Sequence, residues 1–422
     1  MTRLGLTGAF AGACASAVAL GAAAGAQEAR TIQVATHYSE EQAAPLLACF
    51  EQYEAEHPGI TVEHQVTAYN DFLQTILTSR VGGTAPDIYN VYSIWVPQLA
   101  AAGVLEPPPP EVAEFVQSSH EPATVGAATI NGQLWGIPTE LSVYALVYNK
   151  ALLEEAGHAE PPRTWAELRE IAETITRVND QGNIDVGGYA YGTTVAEGIH
   201  PFYAQMFAAG VAPYAEDGRS TNLTSPEAVR ILSDQAALFA DGITSNAIAV
   251  DNFTAGAVAM QIAANWNKQG YQEAFGEGFE DTVGVAPIPT DGPGGTMLYS
   301  FLWAVDAASD AKAESWDLLR YISTPREGGL SCTGEMLAGM GALSGNAADL
   351  AAMAEGADAF DRAFIEEVTS GRAVTQPNIW QAAEVDRILR GYIDQAWSGS
   401  MSAEDALAAA DAEIQFILDE QP

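Results

Sequence analysis

The chain has 422 residues, with 55 Asp plus Glu against 17 Lys plus Arg, a formal net charge of −38. A surface this acidic is repelled by phosphate backbones and by anionic bilayers, which argues against nucleic acid and membrane surfaces as targets. With 48% hydrophobic and 9% aromatic residues, the chain is no disordered acidic tract and has apolar mass for about two domains.

The first residues read as an export signal. Arg3 precedes a charge-free stretch over residues 4–26, rich in Ala, Gly, Leu and Val, which ends in the small-x-small pattern Ala24-Gly25-Ala26. Cleavage after Ala26 would place the mature protein in the periplasm. No later run approaches the length of a membrane span. Removal of the segment takes Cys14 with it and leaves Cys49 and Cys332. The expectation is two buried thiols, with pairing in an oxidising compartment as the alternative.

Strand and helix then alternate. A strand is predicted over 31–35, and a helix over 40–57 with Leu46, Leu47, Phe50 and Tyr53 at helical spacing, stopped by Pro58-Gly59. A strand over 60–66, a helix over 70–81, a strand over 87–92 and a short helix over 97–102 follow. This order predicts an α/β region with a largely parallel sheet. Pro107 to Pro110 reads as a stiff connection that is neither helix nor central strand. A second α/β region starts near Leu134, with an apolar run over 143–148 and a helix over 150–156. Thr164 and Glu167 form a capping-box pattern for a helix running to 178. Further helices are predicted over 226–240, 311–322, 347–368, 381–398 and 403–420, and a long loop over 287–295.

Catalytic patterns are few. There is no His-Glu-x-x-His, no Gly-x-Ser-x-Gly and no Walker-type loop, and the six histidines lack zinc-ligand spacing. Asp180, Asn183 and Asp185 hint at calcium, but without EF-hand spacing they read as a solvated turn. No cofactor is implied. Aromatic residues do cluster near predicted strand ends and loops: Tyr38, Tyr89, Tyr92, Trp95, Trp135, Tyr144, Phe202, Tyr203, Trp266, Tyr299, Trp303 and Trp380. Strand C-termini are where α/β sheets place ligand crevices, and flat rings beside Asp, Glu, Asn and His suit a hydroxyl-rich small molecule. Taken one at a time, each ring is expected in the core.

Several segments in order carry a resemblance. They are Phe50 through Val62, with its Tyr-Glu-Ala-Glu-His-Pro-Gly core; Gly83-Thr-Ala-Pro-Asp-Ile88; and Asn131-Gly-Gln-Leu-Trp-Gly-Ile-Pro138, followed by Tyr148-Asn-Lys150 and Pro162-Arg-Thr-Trp165. Phe253-Thr-Ala-Gly-Ala-Val-Ala-Met260 leads to Trp266, and Pro377-Asn-Ile379 precedes an amphipathic helix. Together they resemble the family 1 extracellular solute-binding proteins of ABC importers, which include maltose-binding protein, and the likeness covers nearly all the mature chain. The resemblance implies the two-lobe periplasmic-binding-protein fold (type II, α/β), with ligand between hinged lobes. After the signal, it divides the chain into 27–138 and 304–342 for the N-lobe, and 139–303 and 343–422 for the C-lobe. It also implies a helix over the Phe253 to Met260 motif.

By the same likeness the function is that of a monomeric binding protein, not an enzyme, handing a carbohydrate-type solute to an ABC transporter permease. An extracytoplasmic glycoside-acting enzyme and a binder of an anionic sugar derivative are the alternatives. The expected ligand contacts are Trp266 as a stacking ring with Asn265 beside it, and Glu140 and Ser142 past the first crossing. His37, Tyr38, Asn90, Tyr92 and Ser93 follow N-lobe strands. His200 and Phe202 lie in the C-lobe and Trp303 at the second crossing; Trp380 follows Pro-Asn-Ile, and Arg372 is a candidate for an anion. Trp380 and the offset of Glu140 depart from maltose-binding protein and argue against maltose as the ligand. The cleft itself is expected to be near-neutral.

Overall fold

The computed structural model describes residues 29–375 and 378–421. The segment read as an export signal, residues 1–26, and Pro377 of the Pro-Asn-Ile motif lie outside the described residues. Among the described residues, no helix is long and apolar enough to cross a membrane.

One 10-stranded sheet organises the molecule. Its main path runs Met260–Ala264, Ile137–Asn149, Thr296–Asp306, Ile88–Tyr92, Arg30–Thr36 and Ile60–Val66. Arg30–Thr36 pairs in parallel with Ile60–Val66 on one side and with Ile88–Tyr92 on the other. Sheets of this kind are covered on both faces, and the Ile88–Tyr92 strand is buried at every position. The rest of the sheet departs from the parallel expectation. Ile137–Asn149 and Thr296–Asp306 run antiparallel to each other, and Met260–Ala264 and Val283–Ala286 run antiparallel to the first of them. These two strands are long because they serve both halves of the molecule. Thr296–Asp306 sets Phe301 to Val305 against Ile88–Tyr92, while Leu298 to Ser300 face Val143 to Leu141. The register shifts between Ser300 and Leu302, where the neighbours change. A third short strand, Leu343–Ser344, pairs with Leu141 and Glu140.

Local signals held where they were strong. Ser39 caps Glu40–Glu56 with a complete capping box, and Gly83 ends Tyr69–Gly82 in the left-handed conformation that glycine adopts without penalty. Four expectations are corrected. Pro110 opens the helix Pro110–Ser119, because a proline at the first helical position loses no needed hydrogen bond. The Thr164 helix stops at Ile175, where Arg177–Val178 instead pairs with Ile184–Val186. The 347–368 helix is two, Ala347–Glu355 and Ala359–Thr369, divided at Gly356 with Asp358 capping the second. The Phe253 to Met260 motif is no helix: Gly256 sits at φ 71°, and the segment passes from a 3-10 turn, Val250–Phe253, into the Met260–Ala264 strand.

A fifth correction concerns the cysteines. Cys49 and Cys332 form a disulfide with a Cα–Cα distance of 6.2 Å, and each residue is 1% exposed. Cys49 lies on the buried side of Glu40–Glu56, against which the helix Cys332–Met340 packs. Sequence spacing of 283 residues carried no sign of that juxtaposition.

The start of Cys332–Met340 is fixed by a buried carboxylate. Asp349, 1% exposed, accepts from the Ser331 backbone N–H at 2.7 Å, the Ser331 hydroxyl at 2.5 Å and the Ser344 hydroxyl at 3.1 Å. It thereby ties a helix N-cap to the short strand beside Glu140. Asp349→Ala strands those donors in the interior and should lower the unfolding free energy by about 2–3 kcal/mol. Urea unfolding midpoints at unchanged slope would register the loss.

Candidate functional site

A cavity of about 950 Å³ opens along the strand ends. His37 and Tyr38 follow Arg30–Thr36 directly, Tyr92 ends Ile88–Tyr92, and Tyr299 and Phe301 come from Thr296–Asp306. Glu140 and Tyr144 come from Ile137–Asn149. His200 on the helix Val195–Ala208, Asp386 on the helix Ala382–Trp397, and Trp266 complete the lining. His37, Tyr38 and Tyr92 reach the cavity from strand C-termini, where side chains can leave the sheet, whereas Glu140, Tyr144, Tyr299 and Phe301 project from within the two long strands.

The walls are largely aromatic. Tyr92 stacks on Phe301 with centroids 5.0 Å apart, His37 stacks on Phe301 at 4.7 Å, and Tyr69 stacks on Trp95 at 5.5 Å. Trp266 stands out, being 40% exposed, where most of the chain's other aromatic rings are covered. The polar groups are held in place. The Tyr38 hydroxyl donates to Glu140 Oε2 at 3.2 Å and the Ser142 hydroxyl to Glu140 Oε1 at 2.5 Å. Tyr144 Oη lies 2.6 Å from His200 Nδ1, and the Tyr203 hydroxyl donates to Asp386 Oδ1 at 2.9 Å.

Of the residues expected from the sequence as ligand contacts, His37, Tyr38, Tyr92, Glu140, His200 and Trp266 line this cavity, as do Trp95, Tyr144 and Tyr299 of the aromatic cluster. Ser142 and Asn265 stand behind it and do not line it. Ser142 holds Glu140, and Asn265 Oδ1 accepts from the Val143 N–H at 3.0 Å, which anchors the turn bearing Trp266. Four more are packed away from it. Asn90 is fully buried and donates to Thr139 Oγ1 at 3.3 Å; Ser93 is 2% exposed in the Ser93–Trp95 turn. Phe202 is fully buried, and Trp303 is covered by Cys332–Met340, its indole N–H donating to Thr333 Oγ1 at 3.1 Å. Trp380 is half-buried and does not line the cavity. Arg372 does not line it either, and its guanidinium is turned to Glu367 through two hydrogen bonds of 3.1 Å.

Over residues 38–328 the chain matches the family described as bacterial extracellular solute-binding protein. It belongs to that family. A putative binding protein of Brucella abortus is 27% identical over 279 residues, which is 64% of this chain and 66% of the relative, just under two thirds of that protein's length. A probable ABC transporter-binding protein of Deinococcus radiodurans is 27% identical over 65% of this chain and 67% of its own. Among solved structures, the GacH receptor of Streptomyces glaucescens, determined unliganded and in complex with acarbose, superposes with a TM-score of 0.79. It is 22% identical and covers 92% of this chain and 98% of its own. The cyclic alpha-maltosyl-1,6-maltose binding protein of Arthrobacter globiformis gives 0.75 at 22% identity, covering 92% and 99%. These neighbours share the two-lobe α/β binding-protein fold.

In this solute-binding protein, burial governs the charges of the cleft. It pushes Asp386 up to about 7 and raises Glu140, which the Ser142 and Tyr38 hydroxyls partly offset. It brings both His37 and His200 down to about 4, so neither carries a charge at neutral pH. Tyr38 is raised by burial first and by the neighbouring Glu140 second.

Several cleft residues escaped the sequence reading. Tyr69 opens Tyr69–Gly82 just past a strand end, so the strand-end rule applied there would have found it. Asp386 sits on a late helix, 183 residues from its partner Tyr203, and no local pattern marks it. The calcium hint in the 179–185 turn resolves as internal bonding, with Asn179 donating to Asp185 at 2.8 Å. Among the described residues, no cluster of three or more His, Cys, Asp or Glu is placed to hold a metal ion.

Proposed function

We propose that this chain is an exported binding protein that captures a carbohydrate-type solute between two lobes and presents it to the permease of an ABC importer. One observation carries the reading: a cleft of about 950 Å³ with an exposed tryptophan face, further aromatic walls and a few polar groups fixed by hydrogen bonds. Sugar rings have apolar faces that suit aromatic stacking and hydroxyl rims that need fixed donors and acceptors. Neighbours of the same fold that were solved with acarbose or named for a cyclic maltosyl sugar support the class.

The lobes are taken as residues 27–138 with 304–342, and 139–303 with 343–422. A ligand touching both walls adds contacts to both lobes only when they close, so it shifts the open–closed equilibrium toward the form a permease reads. The protein acts by binding alone; Glu140 and Asp386 serve as acceptors rather than as an acid–base pair.

A thermal-shift screen over sugars, oligosaccharides, polyols and sugar derivatives tests this. A true ligand at about 100 times its Kd adds roughly 2.7 kcal/mol to the folded state by mass action. The expected result is a melting temperature that climbs with the logarithm of ligand concentration. A flat response across the whole panel, or release of product from a glycoside, would overturn the reading.

A further inference from the structure

The cleft also has a charge pattern that narrows its ligand, and the inference below rests on the saccharide reading just given. Among the described residues, the lysines are engaged away from the cleft. Lys150 donates to the Glu280 carbonyl, Lys268 is held by Asp358 and Asp361, and Lys312 by Glu106; none of the three lines the cavity. Arg387, the arginine that does line it, donates to Glu384 at 2.8 and 2.5 Å. The two histidines of the lining are neutral at physiological pH, as argued above.

Besides Glu197, which caps the start of its own helix, the lining holds two deeply buried carboxylates, Glu140 and Asp386, each 5% exposed. Their partners are hydroxyls of Tyr38, Ser142 and Tyr203, and among the described residues neither makes an ion pair. Glu140 and Asp386 line the same cavity as Tyr69 and Tyr92. An independent observation points the same way. The cavity is walled in part by Tyr69, Tyr92, Tyr144, Tyr299 and Phe301, and aromatic faces carry the negative side of a quadrupole that attracts cations. Burial without a counter-ion favours the protonated acid, in line with the raised Glu140 and Asp386, and an ammonium group seated beside them would favour the ionised form by supplying the missing counter-charge. A sugar hydroxyl fills a lone pair but brings no counter-charge, and a sugar acid adds a further acidic group beside Glu140, Glu197 and Asp386, with Arg387 already paired to Glu384.

We propose that the cleft is built for a saccharide bearing a basic amine, seated between Glu140 and Asp386 against the tyrosine faces, and that it rejects acidic sugars.

Matched probes test this by isothermal titration of the whole mature protein near neutral pH. The probes are di- and trisaccharides of an amino sugar, its N-acetylated form, its neutral parent and its uronic acid, in gluco, galacto and manno configurations. The amine should bind about tenfold or more tighter than its neutral parent, with no heat from the acid. Asp386→Asn, and separately Glu140→Gln, should weaken the amine about tenfold more than the neutral parent; melting curves show that each variant is folded. Two carboxylates are tested so that one unfolded variant leaves the other to decide. Equal or tighter binding of the neutral or acidic member, or an amine preference that survives both substitutions, overturns the inference and leaves the saccharide reading standing. Silence from every member overturns both.

Discussion

Replacing Trp266 with Ala should raise the Kd for the cognate ligand roughly 30- to 150-fold, a loss of about 2–3 kcal/mol, while the melting temperature of the unliganded protein stays close to wild type. The two halves of this result have one cause. Trp266 is 40% exposed, so its ring adds little to the core, yet its position is rigidly prepared. It lies in the 3-10 turn Asn265–Asn267, where Asn265 is fully buried and bonded to the Val143 N–H, and Asn267 donates to the Ala264 carbonyl at 3.1 Å. The next residue, Lys268, is clamped by Asp358 at 2.6 Å and Asp361 at 2.5 Å. A ring held this way loses little entropy on stacking, which is why a single aromatic can dominate affinity. Trp266→Phe should recover part of the binding. Titration calorimetry gives the Kd, and quenching of Trp266 fluorescence gives a second reading. Wild-type affinity in Trp266→Ala would remove this ring from the site.

Loss of the Cys49–Cys332 bond should be the largest single blow to stability. Opening a crosslink that spans 283 residues frees the unfolded chain, and losses of about 2–4 kcal/mol are typical for native disulfides. The bond clamps Glu40–Glu56 to Cys332–Met340, and Met340 itself lines the cleft, so the helix that is tied down also shapes the site. Both sulfurs are buried, so reductant should act only after unfolding has begun. Urea unfolding with and without dithiothreitol, compared with Cys332→Ser, tests the point. Coincident curves with and without reductant would show that the protein lacks the bond. A stabilising disulfide also fits an oxidising compartment.

Much of the fold was legible because local rules dominated it. The cap at Thr164, the glycine stop at Gly83 and the alternation of 60–66 are decided by neighbours a few residues away. Pro110 terminates one kind of segment and opens another, so the local rule there was ambiguous, and the helix that the family likeness implied over Phe253 to Met260 gives way to a turn at Gly256 and a sheet strand.

The site was legible in the same proportion and for the same reason. His37, Tyr38 and Tyr92 follow strand ends, and Trp266 follows a recognisable motif, so their side chains reach the cleft with short-range geometry alone. Asn90 and Trp303 obey the same placement rule yet are covered by Thr139 and by the Cys332–Met340 helix, which come from distant chain.

The acidic composition, the alternation of strand and helix, the absence of catalytic patterns and the family's ordered motifs were determined by the sequence itself, since each rests on residue type or on spacing within a few turns. The pairing of Cys49 with Cys332 and the lining of one cavity by both Glu140 and Asp386 were decided only by the tertiary structure. Contacts across 50 to 280 residues depend on how both lobes pack, and no local preference encodes them. The charge of −38 is accordingly a property of the whole chain, whereas the two unpaired carboxylates that shape the cleft are a property of the fold.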